Sequence, residues 1–386
     1  MSDGKLKIVY CIPSLATVGG GQRILAIKAN YFVNRFGYEI HIVTTDNADK
    51  DPYFSLHPSI QIHNLNINYD KWMPLYKRFW TYFYKRYIHK KRLRKCLNKI
   101  KPDFTILMLR RELGFITKMN DGSIKIAENH FEKYSYLNNA NYGLLRYCPH
   151  FLLEKWKERT IENLKKMQKF VVLTNEDAQN WVELDNLAVI PNPLTFIPTQ
   201  KSSGSLKQVI AVGRYERQKG FDLLISAWKI VVSRHPDWTL KIFGDGPLRE
   251  LLQQQISDLK LTSSCLLEYP TEYIAEKYME SSIFVLSSRF EGFGLVIIEA
   301  MSCGLSVVSF DCPCGPKDII TNRKDGILVK TGDIEELAVQ ISYLIDNEKE
   351  RKQLGKQALI SVERYEIENI AILWKELFEN LLLDRK

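Results

Sequence analysis

Two carboxylates set either side of a glycine turn give the first chemical expectation. The run Ser287-Ser-Arg-Phe-Glu-Gly-Phe-Gly-Leu-Val-Ile-Ile-Glu299 places Glu291 and Glu299 eight positions apart across Gly292-Phe293-Gly294, and Leu295 opens a helix-like stretch. The apolar residues Ile283 to Leu286 just before it suit a buried strand. A strand, a small-residue loop and a helix in that order aim backbone N–H groups and a positive dipole end at the strand tip. A diphosphate suits that position, with Glu291 and Glu299 placed to accept hydrogen bonds from hydroxyl groups. A glutamate at a helix start can also be a simple dipole partner. The glycines and both acids occurring together favour the ligand reading.

A second loop offers the matching cations. Gly213-Arg-Tyr-Glu-Arg-Gln-Lys-Gly220 leaves an apolar strand and carries Arg214 and Lys219. A guanidinium pairs with two phosphate oxygens, while an ammonium acts as a compact point charge. A basic pair on a surface loop is otherwise only solvated. Phe243-Gly-Asp-Gly-Pro247 can be a ligand turn or an ordinary strand-to-helix turn, and both readings stay open. Three glycines, Gly19, Gly20 and Gly21, join the first strand to the first helix, and Gly20 and Gly21 suit close approach to a phosphate or sugar. His130 follows a short strand in Ala127-Glu-Asn-His-Phe131, and Asp177 closes Thr174-Asn-Glu-Asp, where it is a helix cap or a ligand. No Asp-x-Asp pair stands at a strand end, and with Arg214, Lys219 and a helix end available no metal is expected.

The elements needed to hold these residues read as two alternating β/α series. Ile8–Ile12, Glu39–Thr44, Phe104–Leu109, Lys125–Ala127 and Lys169–Thr174 are strand-like, with a helix from Gln22 to Asn34 after the first. A new series begins at Gln208–Gly213 and continues through Thr239–Phe243, Cys265–Leu267, Ile283–Leu286, Ser306–Ser309 and Gly326–Val329. Such alternation implies parallel sheets covered on both faces, an α/β class, with ligands at the carboxyl edges of the strands in a cleft between the domains. The expected organisation is a Rossmann-like domain over 1–192, a linker over 193–207 and a second Rossmann-like domain over 208–366. A closing helix over 367–386 completes it.

The quoted motifs together resemble the retaining glycosyltransferases of family 4, whose fold is GT-B, and the run from Glu291 to Glu299 matches their Glu-x7-Glu signature. The resemblance implies that Arg214 and Lys219 meet the donor diphosphate, with Gly213 at the base of their loop. Glu299 would take the ribose hydroxyls, Glu291 the hydroxyls of the donor sugar, and the N–H groups of Gly292, Phe293, Gly294 and Leu295 would lie near sugar and phosphates. Gly20 and Gly21 would stand opposite the diphosphate, and His130 would reach the donor sugar. The loop 268–271 would contact the nucleobase, and the closing helix would pack on the first domain. Catalytic roles thus fall to Glu291, His130, Arg214 and Lys219. The donor would be a UDP-sugar, a substrate and not a cofactor, and the acceptor a polyprenyl-diphosphate-linked glycan. The loop Ser309–Ile320 resembles bacterial galactosyl- or N-acetylhexosaminyl-type transferases of surface polysaccharide pathways. Attack from the face of the departing phosphate, which takes the acceptor proton, would retain configuration.

Composition narrows the alternatives. No run of 18 or more apolar residues appears, and Met1–Lys7 lacks the apolar core of a signal peptide, so a cytoplasmic chain is expected. Seven cysteines give no disulfide framework. Net charge is +9, yet residues 1–192 carry 30 Lys and Arg against 18 Asp and Glu, and the remainder 24 against 27. The excess lies in the half expected to face an acceptor or an anionic surface. Tyr76 to Lys101 concentrates it, with 11 Lys or Arg, no acid, and Phe79, Trp80, Tyr82, Phe83, Tyr84 and Tyr87 between them. This segment either meets the anionic inner face of the cytoplasmic membrane or is a solvated face with its aromatics in the core. No motif of a nucleic-acid reader accompanies it. A nucleotide-sugar 2-epimerase and a non-catalytic sugar-nucleotide or membrane-binding protein are the alternative functions. The first needs several acid–base groups in the cleft, and the second would lack Glu291, Arg214 or Lys219.

Overall fold

The computed structural model describes residues 5–47, 50–69, 75–109, 111–138 and 150–385, with backbone alone for 75–79 and 138. Two compact units form, Met1–Pro193 with Ile367–Lys386, and Leu194–Glu366.

The first unit is built on β1 (Lys7–Ile12), β2 (Glu39–Thr44), β3 (Gln61–Asn64), β4 (Phe104–Leu107), β5 (Ile124–Glu128), β6 (Lys169–Val172) and β7 (Leu187–Val189). They form one sheet in the order β3-β2-β1-β4-β5-β6-β7, with every neighbouring pair parallel. β1 reads as an unbroken apolar run because helices cover both of its faces, and Ile8 sits between Ile40 and Phe104 in register. β3 and β7 were not anticipated: β3 is an edge strand with mostly polar side chains, and β7 has three residues ahead of Pro191. The closing helix runs Ile367–Leu383 and buries Ile370, Ala371, Trp374, Phe378 and Leu381 along one stripe. Phe378 lies 4.6 Å from Phe104 and 6.2 Å from Phe32, ring centre to ring centre, so the last helix completes the core of the first unit.

The second unit uses β8 (Gln208–Val212), β9 (Thr239–Phe243), β10 (Cys265–Glu268), β11 (Ile283–Leu286), β12 (Ser306–Phe310) and β13 (Ile327–Val329). Their order is β10-β9-β8-β11-β12-β13, again all parallel. In both sheets the strand order reverses beside the first strand, at β1/β4 and at β8/β11, and a crevice opens at such a switch. The polar segment 193–207 lies along this second unit. Ser202 donates its backbone N–H to the Cys303 carbonyl at 2.8 Å, Lys201 donates to the Ser302 carbonyl at 2.8 Å, and the Arg351 guanidinium donates to the Gly204 carbonyl at 2.8 Å.

Candidate active site

The loops leaving β8 and β11, paired neighbours at the switch, are stitched together before any ligand chemistry arises. Arg289 donates its backbone N–H to the Gln218 carbonyl at 2.8 Å, and the Gln218 side chain returns a bond to the Phe290 carbonyl at 3.0 Å. Ser287 donates its hydroxyl to the Lys219 carbonyl at 3.0 Å. The Arg289 guanidinium forks onto the Asp222 carboxylate at 2.9 and 2.6 Å, holding the carboxyl below its usual range. Gly220 makes the approach feasible: its φ is +61°, and a Cβ there would stand 2.1 Å from the Ser287 carbonyl oxygen. On the other side Gly315, at φ +140°, lets the loop after β12 rest where a Cβ would be 2.2 Å from the Phe293 carbonyl oxygen.

This framework brings Lys219 onto Glu291. Their Nζ and Oε1 atoms are 2.7 Å apart, both side chains are largely buried, and Ser288 donates its hydroxyl to the same carboxylate oxygen at 2.6 Å. Glu291 also donates its backbone N–H to the Pro313 carbonyl at 3.1 Å. Glu299 is buried in the helix Leu295–Ser302, where it accepts from the Thr195 hydroxyl and, at 3.2 Å, from the Tyr278 hydroxyl. Gly294 caps that helix with no side-chain bond and no acid in its first turn, so no side chain of the helix itself occupies the positive dipole end that follows Glu291 in sequence. Phe293 points into the core, edge-on to Tyr365 at 5.6 Å, so its ring is structural and its backbone alone faces the loop. Arg214 is 68% exposed and pairs with Glu216 at 2.8 Å, where Lys219 pairs with Glu291. Gly213 lies against the Lys219 stem, 3.2 Å from where its Cβ would stand. Sequence reasoning missed Ser288, Gln218, Arg289 and Asp222. Arg289 stands inside the motif between Ser288 and Glu291, and that position was the available signal.

In the first unit the glycine loop after β1 enters its helix earlier than expected, at Gly20, so Gly20 and Gly21 form the first turn and not the loop before it. Gly19 is the extended cap, and the Gln22 side chain donates back to the Thr17 hydroxyl at 2.8 Å. His130 follows β5 with Nε2 3.2 Å from Glu128 Oε1. Glu128 is buried and ion-paired with Lys28, whose ammonium lies 4.5 Å from the centre of the Trp374 ring. Burial alone would raise Glu128, but Lys28 and then His130 outweigh it and hold it down to about 2. Neither Lys28 nor Glu128 was anticipated: Lys28 is the one charge between Ile24 and Phe32, and Glu128 closes a strand that also carries Lys125. Thr174, not Asp177, caps the following helix; Asp177 accepts from the Lys133 backbone N–H at 2.8 Å and from the Trp181 indole at 3.2 Å.

The basic–aromatic segment forms the helix Leu75–Ile100. Leu93, Leu97 and Ile100 enter the core, and Tyr82 packs near Tyr69. Trp80, Phe83, Tyr84 and Tyr87 are exposed, so for these four rings the reading that put the aromatics of this segment in the core does not hold. The side chains of Tyr76 and Phe79 lie outside the described residues. Among the described residues no helix is long and apolar enough to cross a membrane.

Residues 196–359 match the family described as Glycosyl transferases group 1. An amylovoran biosynthesis glycosyltransferase, AmsD, of Erwinia amylovora is 30% identical over 246 residues, covering 60% of this chain and 68% of that protein. The chain belongs to the group 1 glycosyltransferases. An uncharacterized glycosyltransferase of Haemophilus influenzae is 28% identical over 96% of this chain and 99% of its own length. In fold, this group 1 glycosyltransferase is similar to a single-residue mutant of S. aureus TarM in complex with UDP and other ligands, with a TM-score of 0.75 at 18% identity over 97% of this chain and 99% of that one. Its fold is thus GT-B, two Rossmann-like units.

Proposed function

We propose that this glycosyltransferase moves a hexose or N-acetylhexosamine from a UDP-sugar to a lipid-linked glycan, with retention of configuration and without a metal, in the building of a cell-surface polysaccharide. The observation that carries the reading is the Lys219–Glu291 pair, held where the loops of adjacent strands β8 and β11 meet, beside a helix N-terminus. Departure of the diphosphate leaves negative charge on phosphate and positive charge on the sugar ring. A fixed ammonium, a helix dipole and Arg214 swinging from Glu216 stabilise the first, and Glu291 holds the sugar hydroxyls. Glu299, already fixed by Thr195 and Tyr278, suits the ribose hydroxyls. In the first unit Gly20, Gly21 and His130 are the candidate donor-facing groups. TarM, solved with UDP, and AmsD, named for amylovoran biosynthesis, support the donor and pathway class by analogy. The basic–aromatic segment 76–101 would place the enzyme against the anionic inner face of the cytoplasmic membrane, near such an acceptor.

The test is nucleotide release from a panel of UDP- and GDP-sugars, with and without a lipid-linked acceptor. We expect release with a UDP-sugar that rises with acceptor and falls by roughly 100-fold or more in Glu291→Gln and in Lys219→Met, as for loss of one preorganised electrostatic contact. Near-normal turnover in either variant would remove the assignment.

A further inference from the structure

The helix Leu75–Ile100 presents a stripe with no evident place in a soluble surface. Trp80, Phe83, Tyr84 and Tyr87 recur at i, i+3, i+4 and i+7, so they share one face, and they are 76, 53, 66 and 63% exposed. Four neighbouring exposed aromatics exceed the scattered apolar residues of an ordinary surface and mark an interaction site. Beside the stripe lies a cavity of about 260 Å³ walled by Phe83, Tyr87 and Phe115. Arg86, Lys90 and Lys118 also line it, and none of the three has an acidic partner among the described residues. Gly114 makes room for the guanidinium: a Cβ there would stand 2.3 Å from Arg86 Nη2. The Arg86 guanidinium carbon lies 5.5 Å from the centre of the Phe115 ring, which holds its plane at the cavity.

Three cations lining one aromatic-walled cavity suit a phosphate, and a guanidinium can take two of its oxygens at once. An adjoining aromatic face is suited to the interfacial layer of a bilayer, where such rings keep an apolar body and a wet edge. We propose that this cavity binds the phosphate of an anionic phospholipid while the face from Trp80 to Tyr87 lies among the headgroups. The proposal rests on the membrane-surface reading above and deepens it from a diffuse positive charge to a defined headgroup site.

Cosedimentation of the full chain with vesicles tests it, using phosphatidylcholine alone or with about one third phosphatidylglycerol. Two triple variants remove equal charge: Arg86→Gln/Lys90→Gln/Lys118→Gln in the cavity, and Lys91→Gln/Arg94→Gln/Lys95→Gln on exposed positions of the same helix. A cation near an anionic leaflet contributes roughly fivefold in affinity, so the cavity triple should lose at least about tenfold and clearly more than the other. Trp80→Ser/Tyr84→Ser should weaken binding without altering the cavity. Equal losses in the two triples would reduce the effect to net charge and overturn the proposal. So would binding to phosphatidylcholine vesicles as strong as to the mixed ones. If vesicles do not bind, but inorganic phosphate raises the unfolding temperature of the native protein and not of the cavity triple, the site takes free anions and the lipid assignment falls. An RNA oligonucleotide that displaces vesicles through the same three residues would overturn it too. The assay needs no turnover, so its failure is separate from failure of the catalytic reading; Glu291→Gln should abolish transfer and leave vesicle binding intact.

Discussion

Replacing Lys28 by Met is the sharpest test of how the first unit holds its interior charges. Lys28 and Glu128 are 1% and 2% exposed, 100 positions apart in sequence, and form an ion pair beneath Trp374. Burial pushes Lys28 itself down, against the attraction of Glu128, so the pair as a whole contributes little. Removing one partner is another matter. Glu128 sits at about 2 instead of 4.5, a displacement equivalent to about 3 kcal/mol at neutral pH. That agrees with the ~3–5 kcal/mol typical of stranding one buried charge. In a unit of this size, each kcal/mol moves the unfolding midpoint by roughly 2–4 °C, so Lys28→Met should lower it by about 6–20 °C. The contribution of Glu128 is present above the usual carboxylate range and is lost as pH falls from 4.5 towards 2, so the variant should differ least from the native protein in acid. Lys28→Met/Glu128→Leu should recover most of the loss, because an apolar pair leaves no charge unpaired. Urea and thermal unfolding of the three proteins decide it. A loss below about 1 kcal/mol in the single variant, or no recovery in the double, would refute the reasoning.

Other expectations follow from single contacts. Gly220→Ala should cost about 1–3 kcal/mol and lower turnover together, since its Cβ collides with the Ser287 carbonyl that orders the Lys219–Glu291 loops; unfolding and nucleotide-release assays read both. His89 is buried beside Tyr69 and Glu112, and burial, then Arg111 and Arg86, push it down to about 4. It stays neutral in the fold, so stability should be full above pH 6.5 and fall by up to about 3 kcal/mol as pH drops towards 4; His89→Gln should flatten that slope in urea titrations. Phe378→Ala should cost roughly 3–5 kcal/mol in the first unit, measured by urea unfolding, because it opens a cavity between Phe32 and Phe104.

What the sequence revealed follows from how local each signal is. Glu39–Thr44, Thr239–Phe243 and Ile283–Leu286 stand at the boundaries read from their apolar runs, because central parallel strands are buried on both faces. Gln61–Asn64 escaped because an edge strand tolerates polar side chains on both faces. The meeting of Lys219 and Glu291 was readable from two motifs that each follow a strand of the same sheet. The exposed pairing of Arg214 with Glu216 was not, because a two-residue spacing on a loop fixes no direction. Lys28 and Glu128 carried a faint signal, one charge in Ile24–Phe32 and one closing Ile124–Glu128, but nothing local joins residues in different elements. The exposure of Trp80, Phe83, Tyr84 and Tyr87 was undecidable from spacing alone, since the same periodicity serves a core face or an open one.

Phe378 is synthesised only after every residue of the second unit, yet the rings it covers belong to strands and helices made at the start. While translation proceeds, Phe32 and Phe104 therefore wait with an apolar flank uncovered, although the unit from Leu194 to Glu366 already has all of its own chain. The half of the enzyme that emerges first is the half that finishes last, and the nascent protein's most aggregation-prone interval falls between those two moments.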